Sequence, residues 1–219
     1  MKVMKLRTLA LTLSALAIAP PAVADDSKIG WYLQLGPAGV AFSEGASISA
    51  GGSTIPGAST TLSDNVTLGF GLGYRFTEDF SVIAIGGIPP TTTIKGTGPL
   101  NGVTVGKVTY GPLIVAANYH IPTKGKFQPF IGAGINYTMV FDTKDSGISN
   151  LKADSAFGGV LRLGFDYMVD DSNGFFFSAN KVFVNTKATG NAVALGGAPV
   201  DAKIDLDPLI LHAGWVHRF

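Results

Sequence analysis

The side chains best suited to catalysis or metal binding are three histidines, His120, His212 and His217. Imidazole can act as a general base, as a nucleophile's partner or as a metal ligand. Their spacing argues against each role. His212 and His217 lie an odd number of residues apart in one alternating segment, so they point to opposite sides. The chain has no cysteine, and no cluster of His, Asp or Glu has metal-ligand spacing. Neither a G-x-S-x-G elbow nor a Walker A stretch occurs. A lipase or acyltransferase would need a serine beside an inward histidine, and no triad can be assembled by role. Gly69-x-Gly71-x-Gly73 has the spacing of a dinucleotide fingerprint, but it lies inside a strand pattern rather than between a strand and a helix. The chain therefore reads as a non-enzyme with no metal and no cofactor.

The elements are more informative. Of 219 residues, 46% are hydrophobic and only 14% are charged, with a formal net charge of +1. That apolar content excludes a disordered chain, and the missing basic stripe excludes a nucleic-acid partner. Charge this sparse suits a surface that does not face water. Residues 1–24 read as a cleaved signal peptide: Lys2, Lys5 and Arg7 precede an apolar run, Pro20-Pro21 breaks it, and Ala22-Val23-Ala24 offers a small-x-small cleavage site. Cleavage leaves 13 Lys+Arg against 15 Asp+Glu in residues 25–219, which read as one domain. No later segment supplies the roughly 18 consecutive apolar residues of a spanning helix, so a membrane can be crossed only by a closed barrel.

Eight alternating segments are expected as strands, at about 29–42, 64–76, 80–90, 110–121, 127–140, 154–168, 175–186 and 205–219. In the second, Leu68, Phe70, Leu72, Tyr74 and Phe76 share a face opposite Gly69, Gly71, Gly73 and Arg75. In the last, Leu209, Leu211, Ala213, Trp215, His217 and Phe219 oppose Ile210, His212, Gly214, Val216 and Arg218. Large apolar residues on one face and small or polar ones on the other suit lipid outside and a narrow lumen inside. A soluble sandwich or lipocalin-like barrel would reverse the faces, but its water-facing side would then be Gly-rich and almost uncharged. Aromatic residues gather near strand ends, as in Phe76, Phe80, Tyr119, Phe127, Tyr167, Phe175, Trp215 and Phe219. Short connections at 77–79, 122–126 and 169–174 alternate with long ones at about 43–63, 91–109, 141–153 and 187–204. The expected fold is all-β: an eight-stranded antiparallel transmembrane β-barrel of the bacterial outer membrane, with both chain ends on the periplasmic side. Its surroundings would be outer-membrane lipid and lipopolysaccharide.

That fold sorts the inward residues by height. Near the periplasmic end they are Gln34, Arg75, Asn118, His120, Gln128, Arg162, Asp166, Ser178, Asn180 and Arg218, a set able to form a charge-paired polar plug. In the outer half they become Ile83, Ile85, Ile114, Val160, Val182, Val184 and Ile210, an apolar lumen lining. An apolar ligand above a closed plug needs a side exit. Pro89-Pro90 removes two ladder donors near the outer end of the third strand. Two readings stand: the prolines end the strand, or they open a lateral gap. Ile48, Ile55, Val193 and Leu195 in the long connections either extend an apolar funnel or belong to plain surface loops.

Several stretches, in order along the chain, resemble the outer-membrane protein W (OmpW/AlkL) family. They are Leu62-Ser63-Asp64-Asn65-Val66-Thr67-Leu68, Ile88-Pro89-Pro90, Phe127-Gln128-Pro129-Phe130, Gly132-Ala133-Gly134-Ile135-Asn136-Tyr137-Thr138, Asp205-Leu206-Asp207-Pro208 and the closing His217-Arg218-Phe219. The chain departs from many members at Leu209 and at Val182-Phe183, where Trp or Tyr is usual. The resemblance implies a barrel that carries small hydrophobic solutes across the outer membrane and releases them sideways into the bilayer, with Pro89 in the wall of the gap. The terminal Phe219 resembles the signal read by the barrel assembly machinery. The other expectation is a non-conducting structural or adhesive barrel whose external loops bind partners.

Overall fold

The computed structural model describes residues 29–43 and 45–219. The signal-peptide reading of residues 1–24 lies outside the described residues. Period-two alternation of large apolar and small or polar residues gives eight long staves: β1 (Gly30–Ala41), β5 (Asn65–Arg75), β6 (Phe80–Gly87), β8 (Thr104–His120), β9 (Phe127–Asp145), β11 (Ala156–Met168), β12 (Asn173–Ala192) and β14 (Leu209–Arg218). Six shorter strands lie between them: β2 (Gly45–Ala50), β3 (Ser53–Thr54), β4 (Ser59–Leu62), β7 (Thr91–Thr97), β10 (Ile148–Ala153) and β13 (Ala198–Asp205). Each stave pairs antiparallel with the next, and β1 pairs with β14 from Tyr32–Arg218 to Ala41–Leu209, which closes the barrel. Closure leaves the staves without a free edge.

One circuit along the hydrogen bonds climbs. From Arg218 it passes through Tyr32, Gly73, Ile83, Ala116, Gly134, Val160 and Val182 to Pro208, which immediately precedes β14 and lies ten residues from the start. Such a stagger is what closing a tilted sheet requires. It also means that inward residues in one row sit at different heights, with Ile83 well below Val182.

The apolar face is the outer one. Ile135 is 62% exposed and Phe157 74% exposed, while inward Ile83 and Val182 are fully buried. Aromatic rings cluster at the end carrying Gly30 and Phe219, in the pairs Trp31–Tyr74, Tyr74–Phe76, Phe80–Tyr119, Phe127–Phe165 and Trp215–His217. Tyr137 and Phe157 make a second pair nearer the other end.

The eight expected strands are present, but four of them differ clearly in extent. The third expected strand ends at Gly87, because the two prolines interrupt it, and pairing resumes in β7. Staves β8, β9 and β12 have 17, 19 and 20 residues, well beyond the roughly ten needed to cross a membrane. Much of the four long connections is therefore strand: β13 pairs with β12 and β2, β10 with β12, and β4 with β7. These Gly-, Ser-, Thr- and Ala-rich segments alternate weakly, yet they bury Ile48, Ile94, Val108, Leu151 and Ile204. Ile48 thus lies inside. Val193 and Leu195 sit in an exposed 3₁₀ turn over Val193–Leu195.

Candidate functional site

The lumen is built in three storeys. The lowest is polar. Asp166 on β11 accepts hydrogen bonds from Gln34 Nε2 on β1 (3.2 Å) and from Arg218 on β14 (3.5 Å). Gln34 Oε1 accepts from Arg162 (3.0 Å), and Gln128 Oε1 accepts from both Arg218 (2.7 Å) and Arg75 (3.2 Å). Arg75 also donates to the carbonyl of Glu78 in the β5–β6 turn. The Arg162 guanidinium lies over the Phe130 ring, 4.9 Å from its centroid. Across the floor, Ser81 Oγ meets Tyr32 Oη (3.1 Å), Asn118 Nδ2 (3.3 Å) and His120 Nε2 (2.9 Å). Three arginines and one carboxylate, all but Arg218 almost fully buried, thus share one network joined by two glutamines. Low-dielectric surroundings demand such pairing, because an unpaired buried charge costs several kcal/mol or so. Below the network a polar vestibule of about 590 Å³ opens between Ile29, Phe219 and the short turns.

Ser81 and His120 are the serine–histidine pair a barrel hydrolase would require. Ser81 is 1% exposed, and its hydroxyl, with one hydrogen and two lone pairs, is fully used by its three partners. It serves as a hub of the floor. Among the described residues no group of three or more His, Asp or Glu could hold a metal ion.

The upper storey is a mainly apolar chamber lined by Val40, Val108, Val182, Val184, Ile204 and Ile210, with Thr92, Asn136, Thr138, Asp154 and Thr186 as its polar members. It is narrow, about 50 Å³, so a solute in it must displace side chains. Ile83, Ile85, Ile114 and Val160 also face inward, but Ile83 rests lower, on the roof of the plug against Gly71.

The middle storey meets the barrel wall. Pairing of β6 with β8 ends at Ile85–Ile114, and β8 next pairs at Thr91–Thr109, on β7. Between them the chain leans onto β5: Ile88 N–H donates to the Leu68 carbonyl (3.0 Å), and Thr67 donates to the Ile88 carbonyl (2.6 Å). The ladder lapses opposite Gly111, Pro112 and Leu113. Pro112 cannot donate either. A cleft of about 40 Å³ runs from this lapse, past Gly86, Pro90 and Gly111, to Ile114, Ile210, Asn180 and His212 in the lumen. Pro89 lies on the outer surface beside Gly111.

Gln34, Arg75, Asn118, His120, Gln128, Arg162, Asp166 and Arg218 therefore converge on the floor, whereas Ser178 and Asn180 stand apart from them, beside the cleft. Sequence reasoning missed Tyr32, whose neighbours Trp31 and Leu33 are also apolar, so alternation gave no signal. It assigned no role to His212, Asn136 or Thr138, although all three lie on inward-facing positions.

Comparison with known proteins agrees with this architecture. The OmpW family model matches residues 31–219. The chain is 37% identical over 206 residues to a dibenzothiophene metabolism operon protein, PahQ, of Pseudomonas aeruginosa, covering 93% of this chain and 94% of that one. The crystal structure of the outer membrane protein OprG from Pseudomonas aeruginosa superposes with a TM-score of 0.83 at 26% identity, covering 88% of this chain and 97% of that chain. The structure of outer membrane protein AlkL in lipid bilayers superposes with a TM-score of 0.72 at 25% identity, covering 91% and 94%. A closed eight-stranded barrel with an apolar outer face, matched over its whole length by this family model, belongs to the OmpW family of outer-membrane proteins.

Proposed function

We propose that the barrel is a passive uptake channel for small hydrophobic molecules. They enter the apolar chamber from outside, are stopped by the polar floor and leave sideways through the cleft at Pro89 and Pro90. One observation carries this reading: the apolar lining of the upper storey continues into a cleft that reaches the wall where the β6–β8 ladder lapses. An apolar solute gains about 25 cal/mol for each Å² it keeps from water, so a dry path into lipid is downhill throughout. A charged floor offers no such path. The name of the relative from a dibenzothiophene metabolism operon is in keeping with an apolar cargo. Assembly through the exposed terminal Phe219, read by the barrel assembly machinery, belongs to the same proposal.

The test is uptake by intact Gram-negative cells carrying the protein, comparing a medium-chain alkane with a hydrophilic solute of equal size. Faster uptake of the alkane alone is the expected result. Replacing Pro89 and Pro90 with valine restores two ladder donors and should return alkane uptake to the level of cells lacking the protein. Unchanged uptake in that variant would sink the lateral route. No acceleration of either solute would point to the adhesive or structural alternative and to the outer loops.

A further inference from the structure

A row of lysines crosses the outer wall above the lipid-facing band. Lys107 on β8 and Lys144 on β9 stand directly opposite each other. Lys95 on β7 is the next outward position beyond Thr93, which pairs with Lys107, so it lies diagonal to that lysine. All three side chains are exposed. Directly paired Cβ atoms are about 5 Å apart, and like charges at that spacing destabilise a sheet. The chain supplies little to offset them. Asp142 stands one outward step below Lys144, opposite Thr109. Asp145 uses both carboxylate oxygens on the N–H groups of Asn150 (2.7 Å) and Leu151 (2.9 Å). Among the described residues none of the three lysines makes an ion pair.

The height of the row points to its partner. Below it the wall is apolar: Leu113, Val115, Ile135 and Phe141 are all exposed. Phe141 is the last apolar residue of β9, and it lies beside Gly111 where the ladder lapses. Lys144 follows it by three residues. At 3.3 Å for each residue that is about 10 Å along the strand, and strand tilt leaves roughly 7–8 Å of height. The polar layer on one face of a bilayer is about 5–8 Å deep, so the row stands at the level of lipid headgroups. A soluble anion would leave the apolar wall beneath the row unused, whereas an amphiphile covers both.

We infer that Lys95, Lys107 and Lys144 form a docking site for the phosphate headgroup of an outer-leaflet lipid, whose acyl chains descend along Phe141, Leu113 and Ile135. A phosphate monoester carries close to two negative charges and three acceptor oxygens. Bridging Lys107 and Lys144, it replaces their repulsion with charge-assisted hydrogen bonds, and Lys95 adds a further donor. Lys187 and Lys203 also stand opposite each other, but Asp201 and Asp205 flank Lys203 on the same face and offset it. The site lies outside the lumen, and the assignment is independent of the uptake reading.

The experiment titrates lipid A, a phosphorylated glycolipid, into the purified barrel in zwitterionic detergent and reads bound lipid by native mass spectrometry. Lys107→Gln combined with Lys144→Gln should weaken binding about thirtyfold, from roughly fivefold for each lysine at an anionic surface. Lipid A stripped of its phosphates should bind wild type no better than intact lipid A binds that variant. Lys187→Gln combined with Lys203→Gln should change little. Lys107→Glu should lose lipid A and yet raise the unfolding midpoint of the lipid-free barrel, because it sets a carboxylate opposite Lys144. Heat-shifted gel mobility checks the folded state of each variant. Equal binding of both forms of lipid A would overturn the site. So would an equal loss in the Lys187 and Lys203 variant, which would mean diffuse attraction. Displacement of lipid A by an equal concentration of inorganic phosphate would make the row a free-phosphate site instead. Should a variant fail to fold, acetylation of the wild-type lysines decides: lipid A should protect Lys107 and Lys144, and unprotected lysines would overturn the assignment.

Discussion

Gly73 has no side chain because Tyr32 needs the room: a Cβ there would overlap the tyrosine ring. The Gly69-x-Gly71-x-Gly73 stripe is a trough on β5 that receives His212, Ile83 and Tyr32 from three other strands. Gly73→Ala should push the Tyr32 hydroxyl off Ser81 and cost about 1–3 kcal/mol, the usual range for overpacking, read from denaturant unfolding in detergent. Asp166 answers to a different rule. Asp166→Leu leaves Arg218 without its ion-pair partner and Gln34, which holds Arg162, without its acceptor, and a loss of about 3–5 kcal/mol is expected in the same assay, since breaking a buried pair strands a charge. The facing of Asp166, Arg162 and Arg218 was legible from alternation alone, whereas that of Tyr32 was not. The partners of all four were not legible. Whether Gln34 meets Arg162 or Asn180 depends on how far each strand slides along its neighbour, and no local pattern encodes the ten-residue climb.

Among the elements, the turn between β11 and β12 is tied by Asp170, which accepts from the backbone N–H groups of Ser172 (2.9 Å) and Asn173 (2.7 Å). The Asn173 and Ser172 bonds hold its carboxylate below the usual range. A depressed carboxylate contributes fully above its unfolded value and loses its contribution as pH falls through the folded one. Amide exchange at Asn173 should therefore accelerate on acidification below the ordinary aspartate range, and Asp170→Ala should make it fast at neutral pH. In the middle storey, Gly86 lines the cleft, and a Cβ there would touch Phe70 at an ordinary 3.5 Å. Gly86→Val should thus be tolerated by the fold, with unchanged unfolding, while it narrows the route and slows alkane uptake. The eight staves were readable where lipid imposes large apolar residues on one face. Segments such as β2 and β13 lie beyond that constraint. Ser47, Ser49, Ala50 and Ala202 supply weak contrast between faces, so pairing partners rather than lipid decide their structure.

For the whole molecule, the proposed function has the polar floor close the barrel to water. Reconstituted in planar bilayers, the wild type should pass almost no ions, whereas combined Gln34→Ala, Arg162→Ala and Asp166→Ala should give a steady conductance by emptying the centre of the network. The seam between first and last strands has its own consequence. Every bond that joins β1 to β14 uses residues from the final stretch of the chain, down to the Phe219 N–H on the Trp31 carbonyl (3.0 Å). No nascent chain can therefore close. Until residues 209–219 are in place, the chain presents two open β edges and an apolar face, so its birth is a problem of custody: whatever escorts it must keep both edges covered until the barrel shuts.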